Sequence, residues 1–327
     1  MKDTIRWGIL GTGKIARQFA AGLKHLPDAK LMAVGSRTAE SAAVFGNQFA
    51  APHRHASYEA LVRDPEVDAI YVATPHSCHC ENALLALATD KAVLCEKPFT
   101  LNAREAGQVI AFARQRQLFL MEAMWTRYFP LMEKLRELLA AKAIGEVRML
   151  TADFGFRAEY HEEPRLFDPA VGGGALLDVG IYPVSLASMI FGPPTRVISQ
   201  AFLGNTGVDE EAAIILSHAH GQLAVLSTAV RLETTQEATI LGTAGRIRIH
   251  SPWWRPVAMT ISRDSRPDEI VEIPFAGNGY QFEAAEVMRC LRAGTLESRL
   301  MPLDETLTIM QTLDAIRAQW GMKNPSV

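Results

Sequence analysis

The sequence predicts an α/β chain: an N-terminal doubly wound parallel sheet, followed by a C-terminal α+β domain built on a large, mainly antiparallel open sheet. Three observations predict it. From Thr4 to about Met121, short apolar runs alternate with helical stretches, and that alternation means a parallel sheet with right-handed crossovers. The runs are continuous rather than alternating, which is how strands covered on both faces read. Beyond the helix expected around 128–142, eight strand-like runs follow one another with turn residues between them, the mark of an antiparallel meander.

In the first part the strands are "TIRWGIL", "KLMAVGS", "VDAIYVATP", "KAVLCEKP" and "LFLMEA", with helices from Lys14, Ala39, about His79 and about Ala103. In the second they are "EVRMLTADFGF", "TRVISQAFLG", "EEAAIILSHA", "GQLAVLSTAV", "TQEATILGT", "GRIRIHS", "PVAMTISR" and "DEIVEIPF". A helical insertion at about 174–191 separates the first two of these, and helices near 279–293 and 304–320 close the chain. The expected division is a dinucleotide-binding domain over 1–123 and a substrate-binding and dimerisation domain over 124–327.

A chain of 327 residues, 48% of them hydrophobic, suits two domains. The formal net charge of -3, with both signs scattered, gives no basic face to follow a phosphate backbone, so nucleic acid is not an expected partner. The opening "MKDTIRWGILGTG" goes directly into a strand, and no run approaches the roughly 20 apolar residues of a membrane helix. The four cysteines (78, 80, 95 and 290) are too few and too irregular for a disulfide framework. These readings point to a cytoplasmic protein with no membrane partner.

"GILGTGKIARQFA" sets Gly11-x-Gly13-x-x-Ala16 between the first strand and the first helix. The first glycine permits the tight turn, the second lets backbone reach a pyrophosphate, and the small third residue lets helix pack on strand. Gly11, Thr12, Gly13, Lys14 and Ile15 are therefore the expected pyrophosphate cradle of a Rossmann domain. A P-loop is excluded because Lys14 is followed by Ile15 rather than Ser or Thr. The second strand ends in Ser36 and Arg37 where an NAD enzyme usually carries Asp or Glu. A hydroxyl and a guanidinium suit a 2′-phosphate that a carboxylate would repel, which favours NADP over NAD. The alternative is a solvated loop arginine neutralised by Glu40.

"LCEKPFTLN" and "GGGALLDVGIYPVSL", with the glycine turn and "ATPHSCH", resemble the glucose–fructose oxidoreductase / inositol dehydrogenase / rhizopine catabolism family over essentially the whole chain. "MEAMWTRYFP" and "RLFDPAVGGGALLDVGIYPV" resemble more narrowly its subgroup of dimeric dihydrodiol dehydrogenases and NADP-dependent D-xylose dehydrogenases. The resemblance implies that Lys97 of Glu96-Lys97-Pro98 faces the reacting carbon, with Glu96 beside the cofactor and the Lys97–Pro98 peptide cis. A surface ion pair of Lys97 with Glu96 is the competing reading. The family's second signature has Asp and, four residues on, usually His; here they are Asp178 and Tyr182. On a helix these positions share a face. A tyrosine ordinarily titrates near pH 10, and a neighbouring ammonium makes the phenol a better acid–base group. Lys97 and Tyr182 thus form the expected acid–base pair, with Asp178 orienting substrate or lysine, although Tyr182 alone would also read as a core tyrosine.

The subgroup resemblance places Trp125, Phe154 and Trp254 around the substrate, with Tyr280 returning near the cleft. Aromatic faces suit a sugar's C–H face or a flat ring, though each could be ordinary core. Arg148 is either a substrate contact or a sheet-surface residue. His161, Glu162 and Glu163 are adjacent in a loop and read as solvent-facing, while Arg165 and Asp168 are candidates to pin that loop.

"ATPHSCHCENAL" packs His76, Cys78, His79 and Cys80 into five positions, which invites a metal reading. A structural zinc site usually pairs Cys-x₂₋₄-Cys with a second pair; here one residue separates the cysteines and no second pair exists, so no metal is expected. The family pattern in this place is Thr-Pro-Asn-x-x-His. Thr74, Pro75 and His79 match it and His76 replaces the Asn, so the resemblance implies a wall of the nicotinamide pocket with both histidines toward the cleft.

The expected activity is hydride transfer between NADP and a hydroxyl-bearing carbon of a D-xylose-like aldose or cyclic trans-diol, by a homodimer joined through the C-terminal sheet. The alternatives are a sugar–sugar oxidoreductase that retains its NADP, and a non-catalytic NADP- or sugar-sensing regulator.

Overall fold

In the computed structural model, which describes residues 3–161 and 163–322, a six-stranded sheet organises the first unit. Its elements are β1 (Ile5–Leu10), α1 (Lys14–Leu23), β2 (Ala29–Gly35), α2 (Ala39–Phe49), β3 (His53–His55), α3 (Tyr58–Val62), β4 (Ala69–Val72), α4 (His79–Leu87), β5 (Ala92–Glu96), α5 (Ala103–Arg116) and β6 (Leu120–Ala123). Every pair in the order β3-β2-β1-β4-β5-β6 is parallel. β4 and β5 are buried along their whole length, because helices cover both faces. Strand order reverses between β1 and β4, and such a switch point is where doubly wound sheets bind ligands.

Local chemistry starts the helices. Thr38, Ser57 and Asn102 accept from the amides of Ser41, Ala60 and Glu105 at the beginnings of α2, α3 and α5, as N-caps do. Neither β3 nor α3 figured in the sequence expectation. β3 is the three polar residues His53-Arg54-His55, half-buried on the sheet edge, so no apolar run announces it.

The second unit is built on α6 (Pro130–Ala140), β7 (Val147–Gly155), α7 (Ile181–Phe191), β8 (Pro194–Leu203), β9 (Asp209–His218), β10 (Leu223–Ala229), β11 (Ala238–Gly242), β12 (Gly245–Ile249), β13 (Ala258–Arg263) and β14 (Glu269–Glu272). The sheet runs β14-β13-β12-β11-β7-β10-β9-β8, and only β7 with β10 is parallel. Residues from Ile181 to Ser188 of α7 are all buried. The stretch Pro169–Phe191 is in fact long and apolar enough to cross a membrane, with mean hydropathy 1.6, which corrects the expectation that no run approaches that length. Its most apolar window is 83% buried within the protein, as a core helix is.

The chain does not divide at a single point. One compact unit takes the chain up to Trp125 together with Ala276–Thr306; the other takes Thr126–Phe275 and the chain from Leu307. The expected cut after residue 123 therefore omits a return of the chain. α8 (Tyr280–Ala293) packs against α1, while α9 (Leu303–Gln319) is divided between the units.

Asp64, after α3, ties down the β3 edge. Its Oδ2 accepts from His53 Nδ1 at 2.6 Å and His55 Nε2 at 2.9 Å, and its Oδ1 from the Glu66 amide at 2.9 Å. Burial opposes its ionisation, but the His55, Glu66 and His53 hydrogen bonds prevail and hold the carboxyl below the usual aspartate range. A depressed carboxyl contributes stability above its unfolded value of about 3.9, lost as pH falls through the folded value. Asp64→Asn should cost about 1–2 kcal/mol in urea unfolding at pH 7. The gap to wild type should close as the pH is lowered below about 4; a gap independent of pH would contradict the assignment.

Candidate active site

The first unit carries a cleft of about 550 Å³ at the sheet's carboxyl edge, walled by the turn after β1, the end of β2 and the turn after β4. Gly11 closes the crossing. Its φ is +111°, its amide donates to the Gly35 carbonyl at 3.0 Å, and a Cβ there would lie 2.6 Å from the Ala73 carbonyl oxygen. Only glycine fits both constraints. Gly13 is different, since a Cβ there would meet no protein atom within 4 Å. Packing does not require a glycine at 13, whereas close approach of a ligand to the α1 N-terminus does. The residues present therefore fit a dinucleotide.

Of the expected cofactor residues, Gly11, Thr12, Gly13, Ser36, Arg37, Thr74 and Pro75 wall this one cleft. Lys14, Ile15, His76, His79, Glu96 and Lys97 are not among its walls. Thr38, Ser41 and Tyr58 are, and sequence reasoning missed all three. Burial pushes the Tyr58 phenol up, and the Arg37 charge works against that. The only sequence signal for Tyr58 is its place immediately after the Ser57 cap.

His76 and His79 are both buried, 5.7 Å apart between ring centroids. His79 braces two turns: its Nδ1 lies 2.8 Å from the Pro98 carbonyl and its Nε2 2.9 Å from that of Thr74, which links the turn after β4 to the turn after β5. Asn82 supports the same turn by donating to Thr74 Oγ1 at 3.0 Å. Cys78 and Cys80 are free thiols, and burial pushes Cys80 up to about 11, which disfavours the thiolate a metal requires. Among the described residues the one convergent His/Asp group is His53, His55 and Asp64, whose donor atoms already hydrogen-bond one another.

Lys97 follows β5, and its peptide bond to Pro98 is cis. Its amide donates to Glu96 Oε2 at 3.1 Å, while Tyr71 Oη donates to Glu96 Oε1. Glu283 on α8 is fully buried and neither of its oxygens has a hydrogen-bond partner. Burial, reinforced by the Glu96 charge, pushes Glu283 well above the usual range. Two hydrogen bonds support ionised Glu96 and none supports Glu283, so the proton of this pair rests on Glu283. Trp125 and Tyr280, two expected substrate residues of this unit, stack at 4.5 Å and 24°.

In the second unit Phe154 joins two other expected residues. It stacks on Trp254 at 4.9 Å and 3°, and meets Tyr182 edge-on at 5.2 Å and 60°. Trp254 is fixed by Gln236, which accepts from its Nε1 at 3.0 Å and donates to the Gly155 carbonyl at 2.8 Å. Asp178 pairs with Arg165 at 3.1 Å. Leu176–Gly180, which carries Asp178, is a π-helix that continues into α7, so Asp178 and Tyr182 flank a π-to-α junction instead of sharing one uninterrupted α-helical face. Arg148 pairs with Glu146 at 2.9 Å on the exposed sheet surface. Asp168 accepts from the Ala170 amide and its carbonyl from Gly173, so it shapes the loop ahead of the helix. Glu162 lies outside the described residues.

A glycine cradle at the switch point of a parallel sheet, followed by a sheet domain with an acid and a tyrosine under an aromatic wall, defines a nicotinamide-dependent oxidoreductase. The chain belongs to the GFO/IDH/MocA oxidoreductases: the family described as "Oxidoreductase family, NAD-binding Rossmann fold" matches residues 5–124, and the "GFO/IDH/MocA C-terminal domain" matches 132–248. It is 37% identical over 329 residues to trans-1,2-dihydrobenzene-1,2-diol dehydrogenase of Xenopus tropicalis, covering 98% of this chain and 99% of the relative. The Homo sapiens enzyme of the same name is 36% identical, with 98% of each chain covered. Among solved structures it is similar to a 3-ketoreductase from Actinomadura kijaniata in complex with NADP and TDP-benzene, with TM-score 0.86, 27% identity and coverage of 96% and 97%. The aldose-aldose oxidoreductase from Caulobacter crescentus has the same fold, with TM-score 0.88, 24% identity and 98% of each chain covered.

The two glycines separate folding from binding. Gly11→Ala should lower the thermal midpoint, because positive φ and the Ala73 contact together cost of order 1–3 kcal/mol. Gly13→Ala should leave the midpoint unchanged yet weaken dinucleotide binding at least about tenfold, or ~1.4 kcal/mol. Fluorescence titration and calorimetry measure both, and undiminished affinity in Gly13→Ala would remove the cradle assignment.

Proposed function

We propose that this oxidoreductase uses NADP to oxidise, reversibly, a hydroxyl-bearing carbon of a cyclic trans-diol or a D-xylose-like aldose. The observation that carries the reading is the grouping of Tyr182 with Phe154 and Trp254, a phenol beside a stacked aromatic wall. Such a wall suits a flat ring or the C–H face of a sugar, and the name of the 37%-identical relatives is that of a diol dehydrogenase. Ser36 and Arg37 in the cleft, with the Thr38 and Ser41 hydroxyls beside them, support NADP over NAD.

Bound NADP supplies the hydride acceptor. Tyr182 takes the proton of the substrate hydroxyl as the carbon–hydrogen bond breaks, and the Lys97 ammonium stabilises the charge that develops on that oxygen. Asp178, held by Arg165, orients the second hydroxyl. Trp125 and Tyr280, stacked on each other in the first unit, are the other aromatic residues of the same reading. Cytoplasmic location belongs to the same reading, supported by four free thiols.

A homodimer through the C-terminal sheet is also part of it. Ile198, Ile215 and Val225 are exposed and stand in register across β8, β9 and β10, with Phe202 exposed further along β8. A contiguous apolar row of this kind tends to be covered.

Tyr182→Phe and Lys97→Met should each bind NADP normally and lose about 10²–10⁴-fold in kcat. The assay is NADPH formation with a panel of trans-diols, aldoses and inositols. Unchanged rates would remove the assignment, and no wild-type rate on any member would favour the regulator. NADP retained through purification, with no net NADPH formed, would favour sugar–sugar exchange. Arg37→Ala should weaken NADP about 10- to 100-fold, roughly 1.5–3 kcal/mol, and leave NAD affinity unchanged in the same titration; equal losses for both would contradict 2′-phosphate recognition.

A further inference from the structure

The helix that carries Asp178 and Tyr182 begins in an unusual way. Its first amides need acceptors from outside the helix, and no side chain of the preceding residues caps it. Asp209, the first residue of β9, fills that role from a distant part of the chain: its Oδ2 accepts the Leu176 amide at 2.6 Å. Gly174, with φ +108°, is glycine for the same reason, because any Cβ there would collide with Asp209 Oδ1. The surroundings are tied as well. The Gly174 amide donates to the Leu166 carbonyl at 2.8 Å, and Thr228 Oγ1 to that of Ala175 at 3.3 Å.

Asp209 is 2% exposed. Burial pushes its carboxyl up to about 7, against the opposing pull of the Leu176 amide, its own amide and the Arg317 charge. A carboxyl in so dry a place is costly unless its interaction is needed. Leu176 is two residues from Asp178 and six from Tyr182, and the intervening turn is the π-helix. A slip of one residue at its start would re-aim both side chains, and a misplacement of about 1 Å can cost about 10²-fold in rate.

We propose that Asp209 is a positioning residue for the reaction: from β9 it fixes the register of the π turn through Leu176 and thereby the placement of Asp178 and Tyr182. This rests on the reading that Asp178 and Tyr182 act on the substrate.

The test compares full-length Asp209→Ala and Asp209→Asn with wild type by kcat, substrate KM, NADP affinity and amide hydrogen exchange. Asp209→Ala should speed exchange selectively over residues 174–182 and lower kcat about 30- to 100-fold, with NADP affinity unchanged. Asp209→Asn keeps an acceptor oxygen and should recover kcat to within about fivefold, since a neutral acceptor retains much of the bond. If Asp209→Ala does not fold, Asp209→Asn decides alone: a small loss of kcat with faster exchange confined to 174–182 supports the proposal. Wild-type exchange over that segment in Asp209→Ala overturns it, and, where only Asp209→Asn folds, so does a loss of kcat beyond about fivefold without faster exchange there. So does a loosened segment with wild-type kcat when Tyr182→Phe is inactive. An active Tyr182→Phe enzyme removes the underlying reading first, and the proposal with it.

Discussion

The backbone crossing at Gly11 is the constraint on which the first unit depends. There the turn after β1 passes so close to the Ala73 carbonyl that a side chain is forbidden, and this approach joins the ends of β1 and β4 into one crevice edge. The rest of the cleft follows. Ser36 and Arg37 reach it because β2 lies beside β1, and Thr74 and Pro75 because β4 lies on the other side. His79 secures the arrangement from below with both ring nitrogens on backbone carbonyls.

The second unit solves a different problem. α7 is so apolar that it must be buried, yet polar groups have to be displayed from its first turns. The solution is to bury the shaft against the sheet and fix the start with two polar contacts, Asp209 at Leu176 and Arg165 at Asp178, and one aromatic contact, Phe154 edge-on to the Tyr182 ring. The π-helix lies between the fixed start and the regular α7, where an added residue per turn changes side-chain direction. Hydrophobic burial stabilises the element, and a few directional contacts decide where its polar side chains stand.

Most of the fold was legible because burial writes apolar runs. β1, β2, β4, β5 and β6 are continuous runs, and the eight strands of the second sheet alternate with turn residues. β3 was not legible, since its three polar residues lie on an edge and are held by Asp64 rather than by burial. Nor was the return of Ala276–Thr306 to the first unit, because an amphipathic helix does not state which sheet it covers. At the site, glycines and motif residues were readable where backbone geometry dictates them. Tyr58, Thr38 and Ser41 were missed because common polar residues become a cleft wall only through strand order, and Asp209 because its partner lies 33 positions away. The π turn was invisible for a simpler reason: five residues are too few for a period of 3.6 to be told from a longer one.

In the proposed reaction a cofactor cradle at Gly11–Gly13 and an acid–base group at Tyr182 serve one hydride transfer. A crystal structure of the protein with NADP and a non-reacting trans-diol analogue tests it most directly. The expected result is the pyrophosphate at Gly13, the 2′-phosphate at Ser36 and Arg37, and Tyr182 Oη about 3 Å from the analogue's hydroxyl, with Lys97 beside the same oxygen. An analogue bound away from Tyr182, or a cofactor whose ribose phosphate avoids Arg37, would contradict it.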